Sequence, residues 1–152
     1  MSRWLVAGVV AVVTTLGCIE PVYAKGKTVK LTISGPGLSQ PLELTKPEFI
    51  SADVFVGNFV AWQRGEIAPG SSGLPRYAVQ FHVRPPRSEA VSIKYVVYFA
   101  WDPATERGLV YLPGPGERWY NLNISTIDRG ASDGKWYLAS DEWSRAIRGA
   151  LP

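Results

Sequence analysis

Alternation of hydrophobic and polar side chains marks most of the chain after residue 24 and predicts β-strands. Residues 28–33 alternate between aliphatic side chains and threonine or lysine, which is the period of a half-buried strand. A Gly-Pro-Gly turn follows, and Leu42 and Leu44 predict a short partner strand. The domain is therefore expected to begin with a hairpin.

The clearest alternation lies in the middle of the chain. Residues 77–83 form one strand pattern, and residues 91–101 form a longer one in which every second side chain is hydrophobic. The opposite face of the longer strand begins polar and continues with Val96, Tyr98 and Ala100. A strand that is apolar on both faces is covered on both faces, so we expect residues 91–101 to be the central strand of the sheet.

Helical periodicity is restricted to two segments. Residues 46–62 predict a short helix, although glycine and β-branched residues weaken the pattern. After Ser140, a possible N-cap, Trp143 and Ile147 fall on one helical stripe that should pack on the sheet. Further strands are predicted at residues 109–112, 118–122 and 135–138, and an exposed loop at residues 63–74. The fold class is α+β, with a mainly antiparallel sheet of about six or seven strands, a C-terminal helix and one further short helix.

Composition and charge indicate one globular domain over residues 25–152. Hydrophobic residues make up 46% of the chain and charged residues 19%, which is not the composition of a disordered segment. The net charge is +3, and lysine and arginine are scattered, so no nucleic-acid partner is predicted. The oligomeric state is left open. Cys18 is the only cysteine, so residues 25–152 form no internal disulfide.

The first 24 residues have the pattern of an export signal. Arg3 supplies a positive start, residues 5–16 are apolar, and Ala24 is a small residue suited to cleavage. The apolar stretch is shorter than the ~20 residues that a transmembrane helix needs. We therefore expect residues 1–24 to be a signal peptide cleaved after Ala24, no stable membrane insertion after cleavage, and a secreted or periplasmic location.

A second processing route is open at Cys18. The sequence Leu16-Gly17-Cys18 partly matches a bacterial lipoprotein box, in which the cysteine is lipidated and becomes the first residue. The match is off pattern because Thr15 stands where the large aliphatic residue belongs. This alternative places the protein at the membrane surface, anchored through Cys18.

Catalytic chemistry is poorly supplied. His82 is the only histidine, and its position opposite the hydrophobic phase of its strand favours a solvent-facing or hydrogen-bonded side chain. No metal site and no cofactor are predicted. The enzyme alternative is a small hydrolase that uses a pair of carboxylates drawn from Asp102, Glu106 or Glu117 and acts on envelope material.

Two aromatic pairs are the positive feature. Trp119-Tyr120 and Trp136-Tyr137 each fall in a predicted strand, where neighbouring side chains point to opposite faces. Either both faces are covered, or some rings are exposed and form a stacking platform for a cell-envelope glycan or an anchor for a protein. The sequence thus favours a non-catalytic binding or accessory domain. The alternatives are rings that only fill the core and a domain with a purely structural role.

A family resemblance lies at the two ends of the domain. Residues 31–38 (LTISGPGL), followed by Pro41-Leu42, and a late Gly134-Lys135-Trp136 segment resemble small uncharacterised exported bacterial proteins with a similar opening. The resemblance implies export from a bacterial cell. It implies no activity and no functional residues.

Overall fold

A computed structural model describes residues 25–68 and 73–152, which form one antiparallel sheet of seven strands with three α-helices. The predicted α+β class is confirmed. The strands are β1 (Lys27–Ser34), β2 (Leu42–Leu44), β3 (Glu66–Ile67), β4 (Tyr77–Arg84), β5 (Ser92–Asp102), β6 (Arg107–Leu112) and β7 (Lys135–Leu138). The helices are α1 (Pro47–Ile50), α2 (Tyr120–Thr126) and α3 (Asp141–Ala150), and short 3-10 turns span Trp62–Arg64 and Gly130–Ser132.

The strand order across the sheet is β2-β1-β4-β5-β6-β7-β3. β5 is central, as its two apolar faces predict, and Val96 and Ala100 on its second face are fully buried. β1 and β2 form the predicted opening hairpin. β3 lies in the segment expected to be a loop and pairs with β7 at the far edge, so its partner follows it by about 70 residues of chain.

The hydrophobic core lies on the face of the sheet that α1 and α3 cover. Trp143 of α3 packs its ring against Phe59, Phe81 and Phe99, with centroid distances of 5.6, 6.2 and 5.9 Å. The helix approaches closely because β6 presents Gly108 to it, where a Cβ atom would collide with the side chain of Ser144. The C-terminal helix and its buried stripe are confirmed. Ser140 stands at the N-cap, but its side chain makes no capping hydrogen bond.

Two β-bulges change which side chains reach the core. In β1 the extra residue is Val29, so Thr28 is buried and opposite Val83. In β5 the extra residue falls between the pairs Phe81–Tyr95 and His82–Ile93. The β5 residues before it therefore no longer follow the alternation that directs side chains to the core. The simple alternation predicted for residues 28–33 and 91–101 is therefore wrong at the start of each strand, because a bulge shifts the phase by one residue.

The helix predicted over residues 46–62 is only one turn long. α1 ends at Ile50, and the chain continues as turns until the 3-10 turn at Trp62. Gly57 has a positive φ of 71°, which ends any regular helix there. Phe59 is nevertheless fully buried, whereas Val56 is 61% exposed.

The strand predicted at residues 118–122 is the start of α2, and this prediction is wrong. β6 ends at Leu112, which leaves the neighbouring edge of β5 without a strand from Val96 towards its start. The side chain of Asn123 fills this place: its Oδ1 accepts the Val96 N–H and its Nδ2 donates to the Val96 carbonyl, both at 2.8 Å. Thr126 donates its hydroxyl to the Lys94 carbonyl. α2 therefore satisfies the strand edge with side chains.

In residues 25–68 and 73–152, no helix is long and apolar enough to cross a membrane. The predicted signal peptide, with Ala24 and Cys18, lies outside these residues.

Candidate functional site

The face of the sheet directed away from α1 and α3, called here the open face, is divided into two halves of different chemistry. On β2, β1 and β4 it is polar. Lys30 and Glu43 form an ion pair at 2.7 Å, and the hydroxyl of Thr32 lies 2.8 Å from Nε2 of His82. Burial, followed by the nearby Lys30 cation, lowers the pKa of His82. The histidine is hydrogen-bonded, in agreement with the sequence interpretation.

On β5, β6 and β7 the open face is aromatic. Strand register places Tyr98 opposite Tyr111 and Tyr111 opposite Trp136, so one ring from each strand lies in a single line across the sheet. Ring centroids are 6.5 Å apart for the two tyrosines and 5.1 Å apart for Tyr111 and Trp136. All three side chains are partly exposed. We call these three residues the aromatic row.

Two charged side chains contact the aromatic row. The guanidinium carbon of Arg76 lies 5.0 Å from the centroid of the Trp136 ring and 6.0 Å from that of Tyr111, within cation–π range. The Tyr111 hydroxyl donates a hydrogen bond of 2.8 Å to Oε2 of Glu117. The same oxygen accepts the backbone N–H of Gly114 at 2.6 Å, which fixes the carboxylate beside the row.

The electrostatics of the row keep the Tyr111 hydroxyl protonated at neutral pH. Burial and the hydrogen bond to Glu117 raise the pKa of Tyr111 to about 12. A phenol with this pKa stays protonated at neutral pH and serves neither as a base nor as a nucleophile there. The row thus offers partly exposed π-faces, tilted by 36° and 41° between neighbours, with the Arg76 guanidinium over two rings and a carboxylate at Tyr111, which suits stacking and hydrogen bonding.

Of the four predicted site residues, the structure places Trp136 in the aromatic row and Tyr137 in the core. Tyr137 is 6% exposed, and its ring packs against Trp62 at 5.1 Å. The prediction that a tryptophan–tyrosine pair on a strand divides between two faces therefore holds for Trp136 and Tyr137. Only the tryptophan is available for binding.

The pair Trp119-Tyr120 does not lie on a strand. Trp119 has a left-handed backbone with a φ of 77° and precedes the first turn of α2. Its ring stacks under the guanidinium of Arg118, 4.5 Å from the centroid. Because Asn123 faces Val96 and Thr126 faces Lys94, α2 runs antiparallel to β5 and its first turn lies towards the Tyr98 end. Trp119 and Tyr120, both half-buried, therefore lie on the side of α2 nearer the row.

Sequence reasoning missed Tyr98, Tyr111 and Arg76. Both tyrosines stand on the non-core phase of predicted strands, which was a usable signal. Their alignment with Trp136 depends on the register of β5, β6 and β7, which the pattern of one chain does not supply. Arg76 lies just before β4, and only the fold brings it over strands that follow it by more than 30 residues.

Of the three carboxylates proposed for hydrolysis, Glu117 lies apart from the other two. Asp102 ends β5 and Glu106 lies in the turn before β6, whereas Glu117 follows the other end of β6, about 20 Å away at the usual rise per residue of a strand. Hydrogen bonds from Thr105 and from the Ala104 N–H lower the pKa of Asp102, which opposes a role as general acid. The geometry gives no support to a carboxylate pair formed by Glu117 with either residue.

A second aromatic cluster is structural. The guanidinium of Arg129 lies over the rings of Trp62 and Tyr95, at 5.3 and 5.4 Å, and its Nε donates to the Tyr95 hydroxyl at 3.0 Å. Its Nη2 donates to the Val54 carbonyl. Burial raises the pKa of Tyr95 and also that of Asp133. These contacts fasten the segment after α2 to the core.

Metal ligands are not grouped in the described part of the chain, where no three histidine, cysteine, aspartate or glutamate side chains come together. Comparison with protein-family models, curated proteins and solved structures finds no match. The candidate site is therefore defined by its geometry alone: the aromatic row with Arg76 and Glu117, on the open face of the sheet.

Proposed function

We propose that residues 25–152 form an exported, non-catalytic binding domain, and that the aromatic row is its binding surface for a cell-envelope glycan. The observation that carries the proposal is the alignment of Tyr98, Tyr111 and Trp136 in register across three strands, on the face that α1 and α3 leave uncovered. A line of partly exposed rings on a rigid sheet is preorganised, so little conformational entropy is lost on binding.

The chemistry of the row suits a sugar chain. Sugar rings have apolar C–H faces that stack on aromatic rings and hydroxyl edges that need hydrogen-bond partners. The rings of Tyr111 and Trp136 supply the stacking faces. Arg76 supplies hydrogen-bond donors and Glu117 supplies acceptors at the border of the row. A protein partner is the second class that such a surface accommodates, and Trp119 and Tyr120 would lie at its rim.

Co-sedimentation with purified peptidoglycan sacculi tests this function. Wild-type residues 25–152 should sediment with the sacculi, and Trp136→Ala should weaken binding about tenfold or more, since loss of a central tryptophan removes a dominant contact. Arg76→Lys should weaken it less, because lysine keeps the charge and loses the planar stacking group. Val56→Ala is the matched control, since it truncates a 61% exposed apolar side chain beside the core face.

Two results would overturn the proposed function. One is a wild-type domain that stays in the supernatant at all sacculus concentrations. The other is a Trp136→Ala variant that is folded by its circular dichroism spectrum and sediments like the wild type, which would show that binding uses another surface.

Export is the second part of this proposal, and it rests on the sequence of residues 1–24. Intact-mass analysis of the full chain expressed in a bacterial host should find a form that begins at Lys25 outside the cytoplasmic membrane. A form that begins at Cys18 and carries acyl chains would instead establish the lipid-anchored route.

A further inference from the structure

The strand β2 forms one edge of the sheet. Its inner side pairs with β1, and its outer side faces no strand among residues 25–68 and 73–152. The outer N–H and C=O groups of such an edge strand are a template for another extended segment. Leu42 and Leu44 point to the core side of this strand, opposite Ile33 and Leu31.

A groove of about 520 Å³ lies directly beside this edge, between β2 and α3, and we call it the β2 groove. Leu44 and Phe49 form its apolar floor, and Ala146 and Ala150 form its helical wall. A strand added to β2 would direct every second side chain into this groove, because side chains alternate along a strand. The backbone edge and the apolar groove are therefore in the positions that one extended segment would use together.

Gly149 gives independent support. It stands in the last turn of α3 and lines the β2 groove, and an added Cβ at this position would meet no atom of residues 25–68 and 73–152 within 4 Å. Glycine is a poorer helix former than alanine, and here neither packing nor a positive φ requires it. The absence of a side chain at Gly149 leaves the groove wide at the wall that faces β2.

The charges at the rim indicate the character of the ligand. The carboxylate of Glu43 forms an ion pair with Lys30 at 2.7 Å. The other charged side chains that line the β2 groove are two cations, Lys46 and Arg145, and one carboxylate, Glu48. The net charge of these three side chains is positive, so a ligand with a carboxylate is favoured over one with an amine.

We propose that the β2 groove binds an extended peptide by strand addition, with hydrophobic side chains at alternate positions and an acidic side chain or free C-terminal carboxylate near Lys46 or Arg145. A polypeptide supplies alternating N–H and C=O groups for the edge of β2 as well as side chains for the groove. A lipid chain would leave the strand edge unpaired, and a glycan would not fill an apolar floor. The site is separate from the aromatic row.

Selection from a phage-displayed library of random linear peptides tests the site. The wild-type domain should enrich peptides with alternating hydrophobic residues and an acidic group. A fluorescently labelled selected peptide should bind with an affinity that Gly149→Trp lowers about tenfold or more, since the indole fills the groove. Gly149→Ala is the matched control, since it adds one methyl group at the same position and should bind like the wild type.

The folded state of both variants is checked by their melting temperatures, which should equal or exceed that of the wild type because both replace a glycine in the last helical turn with a better helix former. Peptide binding should also shift the backbone amide resonances of residues 42–44 and should survive Trp136→Ala, which separates this site from the glycan surface. Equal enrichment on wild type and Gly149→Trp would overturn the proposal. So would a wild-type dimer that Gly149→Trp converts to a monomer, because the occupant would then be a second copy of this chain.

Discussion

The two faces of β5, β6 and β7 carry the same class of residue in opposite settings. Towards α3, Phe99 and Tyr137 are almost fully buried, and Trp143 packs edge-on against Phe99. Towards the open face, Tyr98, Tyr111 and Trp136 line up in contact but stay partly exposed. An aromatic residue is therefore buried in the core or left partly exposed according to whether a helix covers its face of the sheet.

The largest expected difference between the faces concerns Trp143. Trp143→Ala should lower the free energy of unfolding by about 3–5 kcal/mol, because it leaves a large cavity among Phe59, Phe81 and Phe99. Chemical denaturation monitored by circular dichroism measures the loss. A loss below about 1 kcal/mol would show that α3 is a loosely attached cover rather than part of the core.

The next prediction concerns the edge of β5. Asn123→Ala should cost about 2–3 kcal/mol of stability, because the buried N–H and C=O of Val96 lose both partners. Asn121→Ala is the matched control: it lies in the same helix, is exposed, and should change stability by less than about 0.5 kcal/mol. Equal effects of the two variants would mean that α2 is not fastened through the Asn123 amide.

The adjacent residues Trp136 and Tyr137 allow the comparison within a single strand. Tyr137→Ala should destabilise by about 2–4 kcal/mol through loss of core packing. Trp136→Ala should cost about 1 kcal/mol, because its ring is partly exposed and loses chiefly Arg76 and Tyr111. Denaturant midpoints of the two variants, measured side by side, test the order, and a reversed order would place the core on the other face.

The smallest expected effect appears only in alkali. The pKa of Tyr111 is raised to about 12, so this phenol remains protonated in the folded state where an unfolded chain ionises near 10. The resulting stabilisation is complete below about pH 10 and is lost as the pH rises towards 12. Ultraviolet titration should show late-ionising tyrosines, and Tyr111→Phe should remove one of them while the buried Tyr95 keeps its raised pKa. Loss of an early-ionising tyrosine instead would mean that the contact with Glu117 does not form in solution.

Periodicity was sufficient for the elements that form by a regular repeat. The alternation around β4 and the second half of β5, and the stripe of Trp143 and Ile147, predicted the core face and the C-terminal helix correctly. The bulge at Val29 defeated the pattern locally, since one extra residue reverses the faces and leaves no mark in hydrophobicity.

Errors were larger where long-range contacts decide the structure. The two residues of β3 form a strand only because β7 lies beside them. Residues 118–122 do not form the predicted strand, because the chain turns into α2, whose Asn123 pairs with the free edge of β5. The candidate site shows the same division. Trp136 was identified from its sequence neighbours, whereas Tyr98, Tyr111 and Arg76 join it through strand register, a property of the assembled sheet.

The position of β3 also sets an order of assembly. β3 precedes β4 in the chain but completes the sheet beyond β7, so its pairing must wait until residues 135–138 are in place. β3 itself adds two paired residues and an exposed Lys135–Glu66 ion pair of 2.9 Å, which is little stabilisation against the entropic cost of closing so long a loop. This margin is expected to form last and to open first by local fluctuation, while the hairpins at the centre stay closed. Since Ile67 of β3 lies opposite Trp136, transient detachment of β3 would loosen the end of the aromatic row without unfolding the domain.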